Sequence, residues 1–284
     1  MQSKQWSLKS GLALHTLDWG GEGPLVLAHH GTGFCAGTFA RVAEELAGRV
    51  RFVALDARGH GDSDKPADGY SWPAFVADLT EFAPLLARSL GRERVDVGVG
   101  HSFGGAVTFM AAQADPAAFG SLLLMEPILI TRAAMQHAGH DPDDPGPMAR
   151  AARRRRPVLA SREQARQSLS MSPAFVDVVP QAVEDYLDHG YRELEDGRLQ
   201  LKCPPDIEAD VFSMGPVDPA LRAEPVALPT VLQRGSNGWF PAQLYDAFAP
   251  LMPNARREDV PAGHLIPMEI PERTAATILE LAGG

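Results

Sequence analysis

The chain has 284 residues, 45% of them hydrophobic and 22% charged, and a formal net charge of −10. That composition is globular and long enough for one large core or two smaller ones. The negative balance disfavours phosphate backbones and anionic membrane surfaces, so neither nucleic acid nor a membrane is expected as a partner.

Cys35 and Cys203 are too few for a disulfide framework and have no CxxC spacing, which fits free thiols in a reducing compartment. The first 20 residues contain no apolar run of signal-peptide length. No segment approaches the roughly 18 apolar residues of a membrane span. A soluble, cytoplasmic protein is the expectation.

The chain opens as a β-hairpin turning near Ser10 and Gly11. Pro24-Leu25-Val26-Leu27-Ala28 is a continuous apolar run ending in His29-His30-Gly31. Such a run suits a strand buried on both faces. The pattern then alternates: helix at 38–47, strand at 51–55, helix at 73–90, strand at 95–99, helix at 103–114 and strand at 122–125. This rhythm predicts an α/β fold with a mainly parallel sheet flanked by helices. Right-handed crossovers bring the C-terminal ends of the strands to one edge, where ligands bind in open α/β sheets.

The rhythm breaks after Pro127. A Pro/Asp/Gly loop at 140–147, the run Arg153-Arg154-Arg155-Arg156 and helical stretches, one over 180–187, predict a mostly helical cap inserted after the sixth strand. The boundaries expected are 130–228 for the cap, with 1–129 and 229–284 forming the core. The alternation returns with strands at 230–232 and 256–260 and helices at 241–249 and 271–281.

Gly100-His101-Ser102-Phe103-Gly104-Gly105 is a G-x-S-x-G sequence between an apolar strand and an amphipathic helix. A strand-to-helix turn that sharp strains the central residue and projects its hydroxyl above the sheet edge. The helix N-terminus behind it favours negative charge developing near Ser102.

With these residues the chain resembles the α/β-hydrolase family over nearly its whole length. His30-Gly31-Thr32-Gly33 is similar to the family's HG-x oxyanion segment. Asp56-Ala57-Arg58-Gly59-His60-Gly61-Asp62-Ser63 looks like its D-x-R-G-x-G-x-S loop, and Gly263-His264 like its catalytic histidine. The resemblance implies an α/β-hydrolase fold and nucleophilic catalysis by Ser102.

A serine hydroxyl needs a base within hydrogen-bond reach, and histidine suits that task near neutral pH. Of nine histidines, His264 is the best placed, in a loop after the last strand. His29, His30, His60 and His101 fit structural or pocket-lining roles. The oxyanion donors are expected to be backbone N–H groups, one from Phe103 and one, by the resemblance, from Thr32.

The triad acid departs from the family pattern. Most members carry it after the seventh strand in a segment resembling G-x-x-D, but here that strand runs into Gly235-Ser236-Asn237-Gly238-Trp239 without a carboxylate. Glu126, after the strand beside the nucleophile's, is the preferred alternative, because adjacent strands lie about 4.8 Å apart. Asp218, Asp246 and a purely structural Glu126 stay open.

Trp239 and Phe240 are candidates to line an apolar acyl pocket. The arginine run reads as a solvated cap surface, with an anionic-substrate gate as the sharper alternative. No HExxH, CxxC or phosphate-cradling motif points to a metal or cofactor, and none is expected. The expected activity is hydrolysis of a small-molecule carboxylic ester or lactone through an acyl-enzyme. C–C bond hydrolysis, cofactor-free oxygenation and a non-catalytic ligand-binding protein are the alternatives, and homodimer formation is left open. Epoxide hydrolases and dehalogenases of this fold need an aspartate at the Ser102 position.

Overall fold

The computed structural model describes residues 1–283. Its strands are β1 (Gln2–Ser7), β2 (Ala13–Asp18), β3 (Leu25–His29), β4 (Arg51–Asp56), β5 (Val95–His101), β6 (Phe119–Met125), β7 (Val158–Leu159), β8 (Tyr191–Glu193), β9 (Leu199–Leu201), β10 (Thr230–Gly235) and β11 (Ala255–Val260). Its α-helices are α1 (Ala40–Glu45), α2 (Trp72–Ser89), α3 (Phe103–Ala114), α4 (Arg132–His137), α5 (Gly146–Ala152), α6 (Arg162–Ser170), α7 (Pro180–Gly190), α8 (Pro205–Phe212), α9 (Ile266–Glu269) and α10 (Pro271–Ala282).

Eight strands form one sheet in the order β1-β2-β4-β3-β5-β6-β10-β11. β1 and β2 pair as the antiparallel hairpin, β2 runs antiparallel to β4, and every pairing from β4 to β11 is parallel. The central strands are apolar because both faces are covered. Leu25–His29 is buried throughout, and so is Ser121–Met125. The outer strands β1 and β11 carry polar, largely exposed sequences, which blunt the free edges.

Helices α2 and α3 cover one face. The 18-residue α2 buries Trp72, Phe75, Val76, Leu79, Phe82, Ala83, Leu86 and Ala87, the helical spacing of a core-facing stripe. Phe103, at the start of α3, is fully buried among His29, Trp72 and Phe75. Burying a side chain of that size contributes roughly 1.5–3 kcal/mol. Helices α1 and α10 cover the opposite face, around Phe39, Phe52, Val97, Val99 and Ile278.

Between β6 and β10 the chain leaves the sheet and forms α4–α8. This segment is not all helical: β7, β9 and β8 make a small antiparallel sheet within it. Two of the other expected helices also take different forms. The stretch at 38–47 divides into a 3-10 turn at Ala36–Phe39 and the short α1. Residues Ala242–Leu251 form a 3-10 helix containing Pro250, which has no N–H for an α-helical bond. Among the described residues no helix is long and apolar enough to cross a membrane.

Candidate active site

Parallel pairing delivers the loops after β3, β5, β6, β10 and β11 to one edge of the sheet. Those loops carry Thr32, Ser102, Glu126, Trp239 and His264 respectively.

Ser102 follows the last residue of β5 and caps α3 with φ 54° and ψ −118°. Its N–H donates to the Met125 carbonyl at 2.8 Å, and its carbonyl accepts from Ile128 at 3.2 Å, so β6 holds the turn in place. Ser102 Oγ lies 3.0 Å from His264 Nε2. On the other side of the ring, His264 Nδ1 lies 3.2 Å from Glu126 Oε2. A carboxylate at Nδ1 fixes the proton there and leaves the Nε2 lone pair facing the serine hydroxyl.

Glu126 is fully buried and has φ 46°. Its Oε1 accepts from the Gly235 N–H at 2.9 Å and its Oε2 from the Trp239 N–H at 3.1 Å. The loop after β10, which lacks a carboxylate of its own, thus supplies the amides that hold the carboxylate of β6. Burial pushes the Glu126 carboxyl above its ordinary range, against the pull of those two amides. Asp218 and Asp246 are engaged elsewhere: Asp218 accepts from the Arg132 N–H at 2.7 Å, and Asp246 pairs with Arg257 at 2.5 Å.

The His264 loop is clamped from two sides. The Gly263 and Leu265 N–H groups donate to Glu269 at 2.5 and 2.8 Å, and His101 Nε2–H donates to the His264 carbonyl at 2.8 Å. Trp239 stacks on the His264 ring with centroids 3.9 Å apart and planes 8° apart, and Phe240 meets it edge-on. Trp239 itself is 47% exposed, so its indole is the shutter between the imidazole and solvent. Desolvation lowers the His264 pKa to about 3, which keeps the ring neutral.

Ser102 and His264 open into a cavity of about 370 Å³. Thr32 and Trp239 line it, with Phe34, Met148, Leu169, Phe175 and Phe212 among its apolar walls. Phe103 directs its side chain into the core, leaving its amide at the first turn of α3. Neither the Thr32 nor the Phe103 N–H meets a protein acceptor among the described residues.

Of the arginine run, Arg153 pairs with Asp210 at 2.8 Å on the surface. Arg155 instead turns into the cavity wall and pairs with Glu208. Sequence reasoning missed this pair. Four consecutive arginines carry no signal of which one faces inward, and Glu208 has no motif around it.

Both cysteines are free and buried. His15, Asp56 and Asp62 bring potential metal-ligating atoms within 4.8 Å of one another. Their atoms are already engaged: His15 Nδ1 bonds Asp56 Oδ2 at 2.7 Å, and Lys202 pairs with Asp62 at 2.6 Å. Asp56 also accepts from the Ala36 and Asp62 N–H groups. This knot braces the loop after β4.

A family model described as "Alpha/beta hydrolase family" matches residues 25–277. Among curated proteins, an uncharacterized protein of Mycobacterium tuberculosis is 37% identical over 105 residues, covering 37% of this chain and 29% of that protein. The 2-(acetamidomethylene)succinate hydrolase of Mesorhizobium japonicum is 35% identical over 96 residues, 34% of this chain and 33% of that protein. The matched stretches therefore span about a third or less of those relatives' length. Over the whole length, the crystal structure of E-2-(acetamidomethylene)succinate hydrolase superposes with a TM-score of 0.80 and 22% identity, covering 100% of this chain and 99% of that one.

Proposed function

The chain belongs to the alpha/beta hydrolase family, and we propose that within it this protein is a serine hydrolase cleaving a carboxylic ester or lactone. The observation that carries this reading is the hydrogen-bonded chain Ser102–His264–Glu126, with steps of 3.0 and 3.2 Å, whose serine and histidine line a largely apolar cavity.

In this reading Ser102 Oγ attacks the carbonyl carbon while its proton passes to His264 Nε2. Glu126 stabilises the imidazolium that forms and holds the ring in the required tautomer. The Thr32 and Phe103 amides take the oxyanion, each such donor being worth about 2.7–4 kcal/mol to the transition state. The tetrahedral intermediate collapses, the C–O bond breaks, and the departing alkoxide takes the proton from His264. Water then attacks the acyl-enzyme, giving its proton to His264, and the acid leaves as Ser102 regains its hydrogen. Residues 130–228 act as the cap that shapes the acyl cavity. An epoxide- or halide-displacing mechanism is disfavoured, because Ser102 stands where those chemistries need a carboxylate nucleophile.

The test is pre-steady-state release of p-nitrophenol from a short-chain p-nitrophenyl ester. A burst equal to the enzyme concentration, abolished by Ser102→Ala, is expected. A burst that survives the substitution overturns the nucleophile assignment. No turnover of esters or lactones by the parent protein overturns the activity.

A further inference from the structure

Arg155 and Glu208 are the charged pair on the cavity wall, and the mechanism above does not use them. Arg155 Nη1 donates to Glu208 Oε2 at 2.5 Å. Glu208 is 6% exposed. Its other oxygen, Oε1, presses against the loop that carries Thr32: a Cβ on Gly33 would stand 2.6 Å from it. The Tyr186 hydroxyl donates to the Gly33 carbonyl at 3.0 Å and stands beside the guanidinium. The pair is thus built against the loop that carries Thr32. Among the described residues it brings the one full ion pair to a cavity whose other lining residues are apolar or neutral polar groups such as Ser168 and Ser172.

Glu208 is buried while the Arg155 side chain is 30% exposed, and such a pair, partly withdrawn from water, is no better for stability than apolar side chains of the same volume. Its place on this wall makes sense if it reads the substrate. The charge of the Arg155 guanidinium is already balanced by Glu208. A carboxylate on the acyl chain would put a second negative charge beside Glu208 and would shed its own water to do so. A plain alkyl chain would strip water from both groups and give nothing back. A hydroxyl or amide satisfies both, accepting from an Arg155 N–H and donating to Glu208 Oε1.

We infer that the Arg155–Glu208 pair is a specificity device that selects acyl chains carrying a neutral hydroxyl or amide close to the scissile carbonyl. This rests on the ester-cleaving reading above.

The experiment compares three esters of matched chain length, methyl butyrate, methyl 3-hydroxybutyrate and monomethyl succinate, by acid release at constant pH. The expected order of kcat/KM is hydroxybutyrate, then butyrate, then the anionic succinate half ester. The first step is roughly 10- to 100-fold, the range of a hydrogen bond to a charged group. In Glu208→Gln, Arg155 loses its balancing charge, and the succinate half ester overtakes methyl butyrate. Ratios are taken within each protein, so a general loss of activity cancels.

A parent protein that prefers the anion, or treats hydroxybutyrate and butyrate alike, overturns the inference; so does an unchanged ranking in Glu208→Gln. Calorimetric binding of the same esters to Ser102→Ala separates the two readings, since binding needs no chemistry. The expected preference in binding, without turnover by the parent protein, overturns ester cleavage alone. Its absence in binding overturns the role of the pair.

Discussion

Ser102 and Glu126 are the two non-glycine residues with positive φ among the described residues, at 54° and 46°. Such a conformation costs about 1–3 kcal/mol and persists only where the surroundings over-determine it. Here they do: the Ser102 N–H is tied to the Met125 carbonyl and the Glu126 N–H to the Gln233 carbonyl, both at 2.8 Å. The strain sits on the two residues that face His264 from its opposite ring nitrogens. Glu126→Gln tests what it serves. The amide keeps the side chain's shape but presents a donor as readily as an acceptor to Nδ1. The imidazole then turns over to the tautomer whose Nε2–H faces Ser102. A fall in kcat of about 10²-fold or more is expected, with an unchanged circular dichroism spectrum. Near-parental turnover would remove Glu126 from the catalytic chain.

At the scale of elements, the loop after β10 decides where the acid can stand. Gly238 leaves the space that the Glu126 carboxylate fills, and a Cβ there would lie 2.5 Å from Oε1. Gly238→Ala is therefore expected to displace the carboxylate and lower kcat at least about tenfold, a loss of the orienting hydrogen bond. Ser236→Ala, exposed in the same loop, should leave kcat intact. Equal turnover in both variants would show that the carboxylate's seat does not matter. The absence of a carboxylate at 235–239 was legible in the sequence and directed attention to Glu126. That Gly235 and Trp239 amides hold Glu126 was not, because backbone donors leave no mark on residue identity. Buried strands and long amphipathic helices were legible for the opposite reason. The Trp72–Ser89 helix repeats its core-facing stripe over 18 residues, and β3 and the end of β6 are continuous apolar runs, whereas Phe103–Ala114 is buried nearly all round rather than amphipathic. The two- and three-residue strands β7, β8 and β9 are too short to show alternation. The Trp239–His264 stack likewise joins residues 25 positions apart through loops that no periodicity governs.

For the whole molecule, the burial that builds the site also sets its response to acid. His29, His60, His101 and His264 are buried, with pKa values lowered to about 4, 4, 3 and 3, and His30 is lowered as well; desolvation leads the causes in each case. The unfolded chain protonates these rings near pH 6.5, whereas the folded protein resists until about pH 4 or below. Between those values the unfolded state binds more protons, so stability falls as pH falls, by up to about 1.4 kcal/mol per pH unit for each histidine. Glu126, Glu208 and Glu269, raised by burial, work in the opposite direction above their ordinary range. Asp78 and Asp185, also raised by burial, join them, while His189, lowered by burial, joins the histidines, and Asp56 and Glu184, held below their ordinary values, lose stability in acid as well. The net charge of −10 also argues the other way, since acid relieves self-repulsion and on that ground alone should stabilise the fold. The two contributions thus differ in sign, and the histidines are expected to win. Thermal midpoints measured at fixed ionic strength should drop steadily from pH 7 to pH 5. A midpoint that holds or rises over that interval would overturn the expectation that the histidines dominate the acid response. The acid limb of kcat/KM reads His264 by itself: chemistry at Ser102 requires the neutral ring, its lowered pKa of about 3 lets activity persist below pH 5, and a limb near pH 6.5 would show that the ring takes up its proton in the folded protein.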